Sequence, residues 1–298
     1  MIDLTLILVD GVVYASWLFL VAVGLTLIYG VMNILNVAHG SLYAIGAFTA
    51  AWLVGEYMAA GWAPLGTYAL LIFAAVAVGV VLGTIIERGV LKWMYGRDEM
   101  VIVLATYAVF LILEDVAKLV FGVESYMPYQ PRTLLDYVDV GDIPFAVYDF
   151  CLVGLALVVG IGVWIGVNRT RPGKLLHAVI YDREISMALG INVARVFTVT
   201  FVIGAILGAL GGAFTAPMIS VVPGIGVEVI VLAFAVVVVG GLGSIEGAAI
   251  GALMVGIGRT LAVNVMPEVE LFVVYGVMAL VLIIRPQGLF GRPEARKI

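Results

Sequence analysis

Two short polar stretches break an otherwise apolar chain, and they hold most of the side chains that could do chemistry inside it. The first reads Asn33-Ile-Leu-Asn36-Val-Ala-His39-Gly40-Ser41, and the second Gly240-Gly241-Leu242-Gly243-Ser244-Ile245-Glu246-Gly247. Two amides, an imidazole, two hydroxyls and one carboxylate can exchange hydrogen bonds with a small polar molecule, but they do not compose a catalytic set. His39 and His177 lie far apart, Cys151 is the single cysteine, and no His-Glu-x-x-His occurs, so metal-ligand spacing is missing. No G-x-x-x-x-G-K-[ST] is present, so the chain has no phosphate-cradling loop and does not hydrolyse ATP by that route. Gly241 to Gly247 is one residue off the spacing of a dinucleotide fingerprint and lacks the βαβ pattern that should follow it. The expectation is no catalytic residue, no metal and no cofactor.

The elements that must position these residues are membrane spans. Hydrophobic residues make up 64% of the 298 residues, glycine adds 36 more, and only 12% are charged. A soluble domain has roughly 45–50% apolar and about 25% charged residues. A helix needs about 20 residues to cross a hydrocarbon core. Candidate spans are 8–30, 41–60, 67–88, 100–121, 148–168, 196–216 and 268–285, with one or two more between 228 and 264. The fold class is therefore all-α: a polytopic helical membrane protein of eight or nine transmembrane segments, two of them interrupted, in one domain over 1–298. The first apolar run, with Asp3 and Asp10 instead of a basic flank, reads as a retained span.

Charge placement orients the spans. Arg88, Lys92 and Arg97 form one basic cluster; Arg169, Arg171, Lys174, Arg183 and Arg195 a second; Arg285, Arg292, Arg296 and Lys297 a third. These are twelve of the 15 Lys and Arg residues, whereas Glu124, Asp136, Asp139, Asp142 and Asp149 share their segment with Arg132 alone. Basic loops stay in the cytoplasm, so 89–99, 169–195 and the tail from 285 face inside, while the N-terminus and 122–147 face outside. Glu87, Glu114, Asp115, Lys118 and Arg259 read as interfacial anchors near span ends, with Glu114 and Lys118 at i,i+4 spacing.

The apolar run 228–239 before the second stretch is short, about 18 Å of helix, which places that break at membrane depth, where irregular backbone needs protein or water around it. Ala44-Ile45-Gly46-Ala47 follows the first break, and Ala249-Ile250-Gly251-Ala252 the second. Paired breaks in two halves of a chain point to a route for a solute. Candidate path residues are Asn33, Asn36, His39, Ser41, Gly243, Ser244 and Glu246. At pH 7 the ring of His39 is mostly neutral at an unperturbed pKa of about 6.5. A plainer account has Ser41 capping a helix, the asparagines closing a turn and Glu246 at the interface. Gly204, Gly208 and Gly212, and likewise Gly243, Gly247 and Gly251, are spaced for close helix packing.

The inner loop 169–195 opens on a turn at Arg171-Pro172-Gly173. It continues as a short amphipathic helix through Leu175, Leu176, Val179 and Ile180 towards Met187 and Leu189, stopping at Gly190. Its apolar face must dock on lipid or on a partner. Arg183-Glu184-Ile185-Ser186-Met187-Ala188-Leu189-Gly190-Ile191-Asn192-Val193 and the run to Gly212 resemble the coupling-loop region of branched-chain amino acid ABC transporter permeases. So do Gly24 to Gly30 running into Asn36-Val-Ala-His39-Gly40, the run Val239 to Gly247, and the ending Arg285-Pro286-Gln287-Gly288-Leu289-Phe290.

The resemblance implies a permease without catalysis of its own. It would work with two ATP-binding cassette subunits, a second, non-identical membrane subunit and an extracytoplasmic substrate-binding protein. It assigns the ATPase contact to Asp182, Arg183, Glu184, Met187, Leu189 and Gly190. Cargo within such a family extends to urea, short amides and other amino acids. An ion-coupled secondary transporter would need a mid-membrane carboxylate, for which Glu246 is the candidate. An intramembrane enzyme lacks its nucleophile or metal cluster.

Overall fold

The computed structural model describes residues 4–141 and 143–291. Asp142 and three members of the third basic cluster, Arg292, Arg296 and Lys297, lie outside the described residues. The helices are α1 (Leu4–Met32), α2 (His39–Ala59), α3 (Thr67–Gly89), α4 (Glu99–Phe121), the single turn α5 (Gln130–Thr133), α6 (Val147–Arg169), α7 (Arg171–Tyr181), α8 (Arg183–Ala188), α9 (Val193–Thr215), α10 (Ile225–Gly240), α11 (Ile245–Val265) and α12 (Glu270–Ile284). A small antiparallel hairpin, β1 (Tyr137–Val140) and β2 (Ile143–Ala146), pairs Tyr137 with Ala146 and Val140 with Ile143. Among the described residues seven helices are long and apolar enough to cross a membrane, namely α1, α3, α4, α6, α9, α11 and α12. The 21-residue α2 and the apolar 16-residue α10 join them. Proline shapes this division: Pro64, Pro131, Pro172 and Pro267 stand before or in first turns, and no long helix has one in its interior, where it would remove a backbone hydrogen bond.

The centre of the bundle is α1 and α9. Helix α9 packs along α3, α2 and α1, while α1 also packs along α11. The glycines spaced four apart on α9 make this possible: Gly204 faces Ile28 and the Gly24 carbonyl, Gly208 the ring of His39, and Gly212 the backbone of Tyr43. Helices α6 and α12 lie outermost and expose Leu157, Ile161, Phe272 and Ile283, as suits a surface in lipid.

The loops sort into two ends. At one end Tyr126 and Val221 exchange backbone hydrogen bonds of 3.0 and 2.8 Å, and Arg132 grips Asp149 through two bonds of 2.9 and 3.2 Å. Here lie the acidic hairpin loop and the α11–α12 corner, where Arg259 pairs with Glu270 and covers the Tyr14 ring at 4.1 Å. At the other end lie the basic segments after α3 and α6 and the turn after α12. We call these the acidic and basic ends.

Several expectations change. The two polar stretches fall between successive helices. α10 and α11 form an antiparallel hairpin in which Gly240 meets Gly247 and Gly251 meets Val236. Gly243 therefore precedes α11 and does not share its packing face. Helix α10 is about 24 Å long, and the tail completes its exposed carbonyl end, with Leu289 N–H donating to Val239 O at 3.0 Å and Phe290 N–H to Gly240 O at 2.9 Å. Arg171-Pro172-Gly173 is the first turn of α7, not a separate turn, because Thr170 caps it by accepting from Gly173 N–H at 3.2 Å and proline is tolerated there. The loop helix is two helices, broken at Asp182, whose extended backbone and carboxylate, accepting from Ile185 N–H at 2.9 Å, start α8. Glu114 does not pair with Lys118, which bonds Asp115 at 3.1 Å. Glu114 is buried and accepts from Gly224 N–H at 3.1 Å, beside the start of α10. Glu87 is fully buried as well, not an anchor reaching the interface.

Candidate functional site

The first break begins at Asn33, the one non-glycine residue with positive φ (53°) among those described, a left-handed stop for α1. From there the chain passes between helices. Thr106 of α4 accepts from Val37 N–H at 3.2 Å and donates to the Val103 carbonyl at 3.0 Å, and Ser41 Oγ donates to the Phe110 carbonyl at 3.2 Å. Ser41 is thus a tie to α4 and not the cap of α2. Gly40 lies against Gly226 of α10. His39 turns the other way. Its Nε2 lies 3.0 Å from the Val21 carbonyl near the middle of α1, and its ring fills the space left by Gly24 and by Gly208, past the midpoint of α9. Residues 34–41 therefore form a plug among α1, α4, α9 and α10, with His39 at mid-depth.

Within the plug the hydrogen bonding is incomplete. Both polar atoms of the Asn36 amide and Nδ1 of His39 are buried without a partner, as is the hydroxyl of Thr26 on α1. Nearly all buried polar side chains find partners, so these exceptions require a cause.

The second break is open. It borders a cavity of about 840 Å³ at the basic end, lined by Thr26, Asn33, His177, Gly243, Ser244, Glu246 and Gln287 among others. The cavity unites Asn33 with Gly243, Ser244 and Glu246; Asn36, His39 and Ser41 are not among its walls. The second break meets the last turns of α1, where a Cβ on Gly30 would lie 3.1 Å from the Gly243 Cα. Ser244 is the N-cap of α11, accepting from Gly247 N–H at 3.0 Å. Glu246 is exposed and accepts from the Trp164 indole N–H at 2.7 Å. It is second in α11 at the basic end, so it is not the mid-membrane carboxylate that ion coupling would use. Beside it an apolar groove of about 320 Å³ runs between α6 and α11 over Phe19.

Helices α7 and α8 form the far wall and protrude from the basic end. Tyr181 is 94% exposed, Leu189 75%, Ile185 58% and Met187 50%. Glu184 is exposed beside them, and Gly190 turns the chain at φ 84°. Arg183 faces inward and covers the rings of Tyr95 and Phe197 at 5.7 and 5.4 Å. The Tyr95 hydroxyl donates to Glu87 at 2.5 Å, and Thr198 donates to the other oxygen of that carboxylate at 2.7 Å. Burial, with the hydrogen bond and charge of Glu87, pushes the Tyr95 phenol well above its ordinary range. Helix α8 thereby rests, through Arg183, on rings tied to the bases of α3 and α9. No sequence signal marks Tyr95, Thr106 or Thr198, since isolated threonines and tyrosines are ordinary in such helices and their loops.

A family of known proteins shares this pattern. The model of the branched-chain amino acid transport system permease component family matches residues 7–282. The high-affinity branched-chain amino acid transport system permease protein BraD of Pseudomonas aeruginosa is 28% identical over 98% of this chain and 97% of its own length. LivH of Escherichia coli K12, with the same description, is 28% identical over 97% and 96%. A probable branched-chain amino acid transport permease LivH of Methanocaldococcus jannaschii is 28% identical over 96% and 92%. Among solved structures, PsaBC from Streptococcus pneumoniae in complex with Fab superposes with a TM-score of 0.50 at 11% identity, covering 93% of this chain and 91% of that one, a likeness of fold alone. The chain belongs to the family of branched-chain amino acid transport system permease components.

Proposed function

We propose that this chain is a membrane subunit of an ATP-driven importer for branched-chain amino acids. Two ATP-binding cassette subunits dock on α7 and α8 at the basic end, which faces the cytoplasm. A second, non-identical membrane subunit completes the pore, and an extracytoplasmic binding protein delivers substrate to the acidic end. The N-terminus is outside. Substrate passes the plug at 34–41 and leaves through the cavity at Asn33, Gly243, Ser244 and Glu246.

The observation that carries this reading is the protruding apolar surface of Tyr181, Ile185, Met187 and Leu189. It lies beyond the spans, on the side of the basic residues, and four large apolar side chains there are stable only when covered. Asp182 and Arg183 hold that surface in place, with Glu184 exposed on it: Asp182 caps α8 and Arg183 anchors it on Tyr95 and Phe197. Gly190, in a left-handed turn, releases the chain into α9.

Leu189→Asp tests the assignment, since Leu189 is exposed and its loss leaves the bundle intact. The expected outcome is a folded, membrane-inserted chain that no longer retains ATPase subunits on affinity purification and supports no leucine uptake. Retention of the ATPases with normal uptake would show that α8 is an interfacial helix.

A further inference from the structure

We propose that Asn36 and His39 together recognise the head of the transported amino acid, its ammonium and carboxylate, at a gate that is shut in this conformation. The proposal rests on the permease reading above and assigns the chemistry of its narrowest point.

Asn36 makes the case. Its amide is fully buried, and neither its nitrogen nor its oxygen has a partner. A leucine of similar size would avoid that desolvation, because an apolar replacement of an unbonded polar group is neutral or stabilising. An amide held in this state has its partner elsewhere in the working cycle.

His39 supplies a matching group. Its Nε2 faces the Val21 carbonyl at 3.0 Å. A carbonyl only accepts, so Nε2 carries the hydrogen, and in the neutral ring Nδ1 presents a lone pair. That lone pair is buried and unused. The backbone hydrogen bond from His39 N–H to Asn36 O, 3.3 Å, closes a turn between the two residues, which brings their Cα atoms within about 7 Å.

The inventory then reads as a ligand. Asn36 Oδ1 and His39 Nδ1 are two acceptors for an ammonium group, and Asn36 Nδ2 is a donor for a carboxylate. No side chain in residues 33–41 carries a fixed charge at neutral pH, so the head is read by neutral groups and released, which suits passage better than storage. A cation alone would leave the donor unused, and an anion alone both acceptors.

The gate is closed by close packing. The ring of His39 fills the place of a side chain on Gly24 and Gly208, and Gly204 touches the α1 backbone between them. Substrate reaches the ring of His39 only when α1 and α9 part. Helix α9 carries Phe197, on which Arg183 of α8 rests, so movement at the docking surface has a physical route to the gate.

The test uses Asn36→Leu in the complete importer, with its ATPases, second membrane subunit and binding protein, in proteoliposomes. Wild-type uptake of leucine is measured first, and its absence would sink the permease reading itself. The variant is expected to melt at a higher temperature than wild type, to retain ATP hydrolysis, and to lose leucine uptake by about tenfold or more. A lower melting temperature overturns the proposal, because the amide then has a partner, such as a buried water, in the closed state. Uptake at the wild-type level overturns it too. If Asn36→Leu does not assemble, Asn36→Ala, which demands no added volume, is read by uptake alone: a loss supports the gate and normal transport removes it.

Discussion

The two polar breaks look alike in sequence and solve opposite problems in the fold. At the second, the helix ends are met on both sides: Ser244 caps α11, the tail donates to the last carbonyls of α10, and an open cavity borders the rest. At the first, the backbone is tied to α4 through Thr106 and Ser41, yet the side chains of Asn36 and His39 are buried with bonds unmade. One break is an aqueous lining and the other a dry plug. The difference teaches that a polar interruption between spans is not by itself a path. What matters is whether its groups are satisfied at rest.

That contrast can be broken at three points. The largest effect is expected where the second break packs on α1. Gly243 has φ 82°, and a Cβ there would lie 3.0 Å from the Gly30 Cα. Gly243→Val combines a forbidden backbone with overpacking, at a cost of about 3 kcal/mol or more. Thermal melting in detergent should show it as a large loss of folded chain, and an unchanged melting temperature would mean that the second break is not packed against α1. Ser244→Ala comes next. Losing the N-cap of α11 costs about 1 kcal/mol, a modest drop in melting temperature with leucine uptake preserved. Abolished uptake in a stable variant would show that Ser244 also touches substrate. The smallest effect belongs to Asn33→Gly. Both residues accept the left-handed turn, so stability should change by less than about 0.5 kcal/mol and uptake not at all. A transport defect there would make Asn33 a recognition residue, not only a helix stop.

Much of the fold was legible because membrane spans are written locally. The apolar runs 67–88 and 100–121 became α3 and α4 to within a residue or two, and the run 148–168 became α6. The glycines of α9 were legible as one packing face because they lie within one helix. The fate of single charges was not. Glu87 and Glu114 sit near helix ends, as anchors do, but both are buried because partners distant in sequence come to them: Tyr95 and Thr198 for one, Gly224 for the other. The break at Asp182 was missed because Leu176, Val179, Ile180 and Met187 keep a helical period across it, while the cap that resets the chain is a single local carboxylate. The candidate path residues lie at or beside the joins between helices, but nothing local separates Asn33, which ends a helix in the open cavity, from Asn36, three residues on and fully buried.

The sequence by itself determined which runs are long and apolar enough to span a membrane, which segments are basic, and where most of the long helices begin and end. These follow from hydrophobicity, charge and glycine within windows of about 20 residues. Only the tertiary structure decided which of the polar residues are satisfied. That depends on α1 lying against both α9 and α11, which sets Gly24 and Gly208 around His39 and Gly30 against Gly243. Close approach between backbones so far apart in the chain is a property of the packed bundle, and no local window contains it.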